Sequence, residues 1–170
     1  MSNPENTKKI FKGEIKYKVT LNDEQKEVKR LIRENQIVVI TGRAGCGKSL
    51  VSAQTALDFL FKKEYEYIYV TRAAVEVGHS LGFLPGSLSE KFDPYLEAFQ
   101  ENLIKCYDKN KIEQIINEEK VKALPVQFIR GKTIDDILIV EEAQNLTKGE
   151  MLAILTRLGD RKSTRLNSSH

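Results

Sequence analysis

No apolar run in this 170-residue sequence approaches the roughly 20 residues that crossing a bilayer requires. The N-terminus, MSNPENTKKIFKGEIKYK, has no apolar middle of the kind a secretory signal carries, which argues against export. There are two cysteines, Cys46 and Cys106, with no CxxC pair between them. That excludes a disulfide framework and a zinc-ribbon arrangement, and fits a reducing cytoplasm. Internal repeats, low-complexity segments and an evident linker are also missing. Charge of one sign is scarce: the formal net charge is +3, and the last eleven residues hold three of the basic groups against one acid. So balanced a chain is not drawn to nucleic acid by its overall field.

Those last residues, DRKSTRLNSSH (160–170), read codon for codon as the in-frame translation of a common short-read sequencing adapter. They are set aside as a cloning scar would be, leaving 1–159 as a single, incomplete domain cut short at its C-terminus. A native polar tail is the alternative reading.

What is present is an alternation of strand and helix patterns. Ile15, Tyr17 and Val19 alternate within 11–19 and predict a short, lysine-edged strand. Asn22 offers a helix cap with Gln25 three positions on, and a helix to about Asn35 carries Val28, Leu31 and Ile32. IVVIT (37–41) has the composition of a strand buried on both faces. A helix from Lys48 to about Lys63 would bury Ala53, Ala56, Leu57 and Leu60; YEYIYVTR (65–72) is a second strand, and 78–87 is a loop punctuated by glycine and proline. Asp93 and Pro94 read as the cap and first residue of a helix burying Leu96, Phe99, Leu103 and Cys106. A charged helical stretch fills 109–123, VQFIR (126–130) and ILIV (137–140) read as strands, and Thr147 with Glu150 caps the helix MLAILTRL. The expected fold is α/β, a parallel sheet covered by helices on both faces.

Chemistry concentrates at GRAGCGKS, which matches G-x-x-x-x-G-K-S at Gly42, Gly47, Lys48 and Ser49. Glycines let backbone N–H groups point inward at a phosphate, where side chains would obstruct. Gly42, Arg43, Ala44, Gly45, Cys46 and Gly47 form the cradle, and Lys48 supplies positive charge to the β- and γ-oxygens of ATP. The Ser49 hydroxyl offers one oxygen to Mg²⁺, and the helix opening at Lys48 favours the same anion. Cys46 is either a small filler or a redox-sensitive thiol.

Such a loop needs a second acidic strand, and ILIVEEAQN (137–145) supplies one. Glu141 is the expected Mg²⁺ partner, Glu142 the residue that orients or deprotonates the attacking water, and Gln144 a sensor of the γ-phosphate. A carboxylate pair that merely starts a solvated loop is the bland alternative.

GRAGCGKS, TRAAVEVGHSLGFLPGSLSEKFDPYLEAF, FIRGKTIDD and EEAQN, in this order, resemble the PhoH-like ATPases over about residues 20–159. The resemblance implies a RecA-like P-loop fold related to superfamily 1 helicases, ATP hydrolysis, a bacterial or phage setting and a link to RNA or single-stranded nucleic acid. It also implies a cytoplasmic location, with ring-like homo-oligomers in the full-length protein. It places Gln25 where related helicases read adenine, a role compatible with the capping box that Gln25 also completes with Asn22. It sets Arg72 at a nucleic-acid contact or the rim of the site, with a solvated arginine at a strand end as the alternative, and Arg130 beside the site. His79 reads as a surface loop residue. The family usually carries Asp-Glu-Ala-Gln where this chain has Glu141-Glu142-Ala143-Gln144, which bears on the metal site.

Lys26, Lys29, Arg30 and Arg33 form a basic stripe at helical spacing, either a phosphate-contacting surface or the solvated face of an amphipathic helix. Two function classes remain: an ATPase, or a nucleotide-dependent RNA- or protein-binding module with negligible hydrolysis. A small-molecule kinase is disfavoured, because no arginine-rich lid segment is present.

Overall fold

The structure is a computed structural model that describes residues 15–73, 88–159 and 164–167, with backbone alone at 88–95 and 164–167. The predicted loop 78–87, His79, residues 11–14 of the first predicted strand and most of the tail lie outside the described residues.

Helix α1 (Asp23–Glu34) opens with the expected box: Asn22 accepts from the Gln25 N–H while the Gln25 side chain accepts from the Asn22 N–H. Strand β1 (Ile37–Ile40) leads through the glycine loop into α2 (Lys48–Phe61), and β2 (Ile68–Arg72) follows. Next come α3 (Leu88–Cys106), α4 (Lys109–Asn117), β3 (Val121–Ala123) and the single turn α5 (Val126–Ile129). The described elements end with β4 (Ile137–Glu141), α6 (Lys148–Leu155) and β5 (Thr164–Asn167).

All five strands are parallel, in the order β1-β5-β4-β2-β3. Because side chains alternate, one face of β2 and β4 presents Ile68, Val70, Ile137 and Ile139 to a core shared with α2, α3 and α4. The other presents Tyr69, Leu138 and Val140 to a smaller core with Leu124, Ile129 and Ile154. The fold is thus the expected α/β parallel sheet with helices on both faces.

Five expectations need correction. Residues 15–19 form no strand: the Lys18 N–H donates to Cys106 O, the Gln54 amide donates to Val19 O and the Tyr17 hydroxyl donates to Asp58. The segment straps across α2 and the end of α3, where no strand is available to pair with it. Among the described residues, strand β1 is covered on one face only. Val38 and Ile40 join the larger core, whereas Val39 is 59% exposed, because α5 and α6 lie over β4 rather than over β1. Asp93 and Pro94 do not open α3, whose backbone is already helical from Leu88.

The charged helix stops at Asn117, because Glu119 takes a left-handed conformation (φ 53°), and Val121–Ala123 then pair with Ile68–Val70 as the edge strand. VQFIR, despite its β-rich composition, is therefore helical. The place beside β2 is filled by β3, the Leu124 N–H donates to Val70 O, and Pro125 and Gly131 (φ 95°) bound the turn. Strand β5 falls within the tail set aside above. Its backbone fills the slot between β1 and β4, with Leu166 opposite both Val39 and Val140, and ladder hydrogen bonding makes little demand on side-chain identity.

Candidate functional site

Parallel strands deliver their carboxyl ends to one edge of the sheet, where open α/β folds bind ligands. β1 runs out into the glycine loop, β4 ends at Glu141, and β2 ends at Arg72 beside Glu141 in register. A cavity of about 460 Å³ lies over this edge, lined among the described residues by Ala44, Gly45, Gly47, Lys48, Ser49 and Leu50 of the loop and α2. Asn102, Lys105, Glu141 and Glu142 complete the lining.

The loop is tightly wound. The Cys46 N–H donates to Arg43 O, and Gly45 and Gly47 sit at φ 78° and 90°, a region open to glycine. Gly47 is constrained twice, since a Cβ there would also collide with the Gln25 amide. As the cap of α2, Gly47 has no side chain to bond the first-turn N–H groups, so they remain available to an anion. The Lys48 ammonium curls back to donate to Gly42 O and Arg43 O, both at 2.9 Å, and lies 3.9 Å from Cys46 Sγ. A phosphate entering the cradle competes with those two carbonyls for the ammonium.

Ser49 and Glu141, ninety-two positions apart, meet where the hydroxyl donates to the carboxylate at 3.0 Å. Two hard oxygen donors at that separation match neighbouring vertices of an octahedron with metal–oxygen distances of about 2.1 Å. Among the described residues no group of three or more His, Cys, Asp or Glu side chains forms a metal cluster. A hydroxyl and a carboxylate therefore suit a cation that keeps most of its waters, as Mg²⁺ does.

Glu142 carries the only positive φ (53°) among the described residues of the β4 tip, and such conformations concentrate at functional sites. Its carboxylate accepts from the Gln144 amide at 2.5 Å and lies 4.0 Å from the Arg72 guanidinium. The structure thus joins Gln144 to Glu142 and brings Arg72 to the rim of the site as an ion-pair partner.

Gln25 reaches the loop as well as its cap: its amide donates to Cys46 O at 3.2 Å while its carbonyl serves the Asn22 N–H. Arg130 is not among the described residues lining the cavity; a Cβ added at Gly149 of α6 would lie 4.0 Å from its guanidinium. The basic stripe of α1 is fully paired, Lys26 with Asp23, Lys29 with Asp58, Arg30 with Glu27 and Glu34, and Arg33 with Glu64.

Sequence reasoning missed Asn102 and Lys105. Each immediately precedes a buried residue of α3, Leu103 and Cys106, so the two stand together at helical spacing on the flank of the buried stripe. That flank was readable from periodicity, but its juxtaposition with the loop was not, because it depends on how α3 packs on α2. No helix among the described residues is long and apolar enough to cross a membrane.

The family model for PhoH-like proteins matches residues 18–166. The chain belongs to the PhoH-like protein family. Among curated PhoH-like relatives, the Escherichia coli K12 protein PhoH is 35% identical over 149 residues, covering 86% of this chain and 42% of that protein. A PhoH-like protein of Mycobacterium tuberculosis H37Rv is 42% identical over 141 residues, covering 82% and 40%. The chain thus spans less than half the length of these PhoH-like relatives. The solved structure of the large terminase from a thermophilic bacteriophage aligns with 88% of this chain and 39% of its own at a TM-score of 0.54. At 9% identity that is a likeness of fold alone, and it agrees with the α/β parallel sheet of this chain.

Proposed function

We propose that this PhoH-like chain binds ATP with Mg²⁺ and hydrolyses it. The observation that carries the reading is the 3.0 Å meeting of Ser49 and Glu141 inside a cavity floored by the glycine loop, with Glu142 beside it. Backbone N–H groups of 42–47 and the first turn of α2 hold the phosphates, and Lys48 leaves its carbonyls to neutralise the β- and γ-oxygens. Ser49 and Glu141 hold Mg²⁺, which offsets charge on the phosphates. Glu142 orients the attacking water and accepts its proton, and Gln144, already bonded to Glu142, couples that carboxylate to the state of the γ-phosphate.

The test is Glu142→Gln, which keeps the shape of the side chain and removes the base. Steady-state turnover is expected to fall by about 10²–10⁴-fold while ATP affinity holds. Turnover equal to wild type removes Glu142 from the role.

A second reading, a nucleotide-dependent module with negligible hydrolysis, is favoured by Glu141 in the place where the family usually has aspartate. The family resemblance extends the proposal to RNA or single-stranded nucleic acid as partner, to a cytoplasmic location and to a homo-oligomer of the longer protein. RNA that binds without raising turnover supports the module; RNA that raises turnover supports the coupled ATPase.

The cysteines give an inexpensive readout of nucleotide binding. Cys46 is exposed in the cradle, whereas Cys106 is buried and the pKa of its thiol is pushed up to about 11 by that burial. At pH 8 about one part in a thousand of Cys106 is thiolate. An alkylating reagent should modify one of the two cysteines in the native protein, and Mg-ATP should slow that reaction severalfold. Equal rates with and without nucleotide argue against occupancy of the loop.

A further inference from the structure

We infer that Lys105, on the last turn of α3, is the cation that meets the terminal phosphate of the nucleotide and lets the site tell a triphosphate from a diphosphate. The inference rests on the ATP-binding reading and adds a residue outside every recognised motif.

Packing fixes where this turn lies. Phe99, Leu103 and Cys106 are buried, and the Cys106 thiol sits 3.7 Å from Leu50 O, so the end of α3 is pressed against the first turn of α2. Lys105 is the exposed residue next in line, and it lines the cavity together with Ser49, Glu141 and Glu142. Ala44, Gly45, Gly47 and Lys48 of the loop line the same cavity, and Lys105 is assigned to its Glu141–Glu142 side. Ser49 and Glu141 would hold a cation that offsets phosphate charge, and Glu142 beside them would mark the γ end of a bound nucleotide. The other flank of the loop is marked by Gln25 bonded to Cys46 O, and Gln25 is not among the described residues lining the cavity. Lys105 therefore stands at the γ end.

Charge gives the position its consequence. Glu141 and Glu142 face the same cavity, and the γ-phosphate brings further negative charge next to them. Lys48 belongs to the loop and serves β- and γ-oxygens alike, so it favours diphosphate as well as triphosphate. Lys105 approaches from a different helix, and a cation at the γ end alone favours the triphosphate. It has no ion pair or hydrogen bond among the described residues that would hold it elsewhere, whereas the lysine four positions on, Lys109, is 3.6 Å from Glu113.

The test is equilibrium binding of ATP and ADP, each with Mg²⁺, to the full chain and to Lys105→Ala and Lys105→Glu. ATP affinity should fall about 5- to 10-fold in the alanine variant and further in the glutamate variant, with ADP affinity moving less than about twofold. The ATP effect should shrink between about 0.05 and 0.5 M salt, as screening of an accessible charge requires and loss of packing does not. Lys109→Ala serves as the surface control and should leave both affinities unmoved. ATP and ADP weakened alike, or neither weakened, overturns the assignment of Lys105. A wild-type chain that binds neither nucleotide sinks the ATP-binding reading itself, a different result from a wild type that binds ATP no better than the variants do.

Discussion

Replacing Lys48 with alanine should lower ATP affinity by at least about 100-fold and abolish turnover. The ammonium now donates to Gly42 O and Arg43 O at 2.9 Å each, so it already lies within the curl of the loop and needs no long excursion to reach a bound phosphate. Two charge-assisted hydrogen bonds to phosphate contribute about 1.5–3 kcal/mol each, and a total near 3 kcal/mol corresponds to about two powers of ten in affinity. The same two carbonyl contacts staple the loop, so the variant also tests whether Lys48 acts on the ligand or only on the fold. Those contacts have neutral acceptors, one part-buried and one exposed, and their loss should move the thermal midpoint by no more than a few degrees. Lys48→Arg separates the two roles further. It keeps the charge, but a planar fork does not fit a cradle shaped for a compact ammonium, so affinity should remain well below wild type. Isothermal titration with Mg-ATP and a melting curve on each variant are sufficient. Wild-type affinity in Lys48→Ala would remove the central claim about the loop.

What could be read in the sequence divides according to the range of the interaction involved. The loop, its lysine and its serine are contiguous, and their chemistry follows from spacing; Ala44, Gly45, Gly47, Lys48 and Ser49 of GRAGCGKS line one cavity. The two capping boxes, Asn22 with Gln25 and Thr147 with Glu150, are likewise local and form as expected. VQFIR failed for a non-local reason. Its β-branched and aromatic residues favour a strand, but the position beside β2 goes to Val121–Ala123, and a strand with no partner gains nothing from propensity. The strap at 15–19 failed similarly: alternation at Ile15, Tyr17 and Val19 resembles a strand, yet Tyr17 is committed to Asp58, forty-one positions away. Lys105 and the pairing of Arg72 with Glu142 depend on helix and strand packing that no local pattern encodes.

The largest loss of stability is expected from Asp58→Ala, a residue that touches no nucleotide. Its carboxylate is 7% exposed and lies 2.6 Å from Lys29 Nζ, while the Tyr17 hydroxyl donates to it at 2.5 Å. Burial, reinforced by that carboxylate, holds the Tyr17 phenol far above its ordinary value, so Tyr17 remains a donor throughout the working range of pH. Removing Asp58 leaves a partly buried ammonium with, among the described residues, Gln54 Oε1 at 3.2 Å and the Tyr17 ring at 5.0 Å, and strips Tyr17 of its charged partner. Breaking a buried pair on one side typically costs about 3–5 kcal/mol. Lys29 keeps 22% exposure, which places the expectation near the lower end, about 3 kcal/mol, or roughly 6–12 °C in melting midpoint for a chain of this length. Glu113→Ala, which breaks a pair with both members at least half exposed, should leave the midpoint nearly unmoved. The double variant Lys29→Met with Asp58→Ala should recover part of the loss, since an apolar pair of similar volume carries no unpaired charge. The site should register the change as well. Lys29 sits one turn beyond Gln25 on α1, so releasing Asp58 frees the helix that holds the Gln25 amide on Cys46 O, and the ATP affinity of Asp58→Ala should fall even at temperatures where the protein is fully folded. A folded Asp58→Ala protein with wild-type affinity would confine the network to stability; a weakened one ties the grip of the cradle to a carboxylate at the other end of α2.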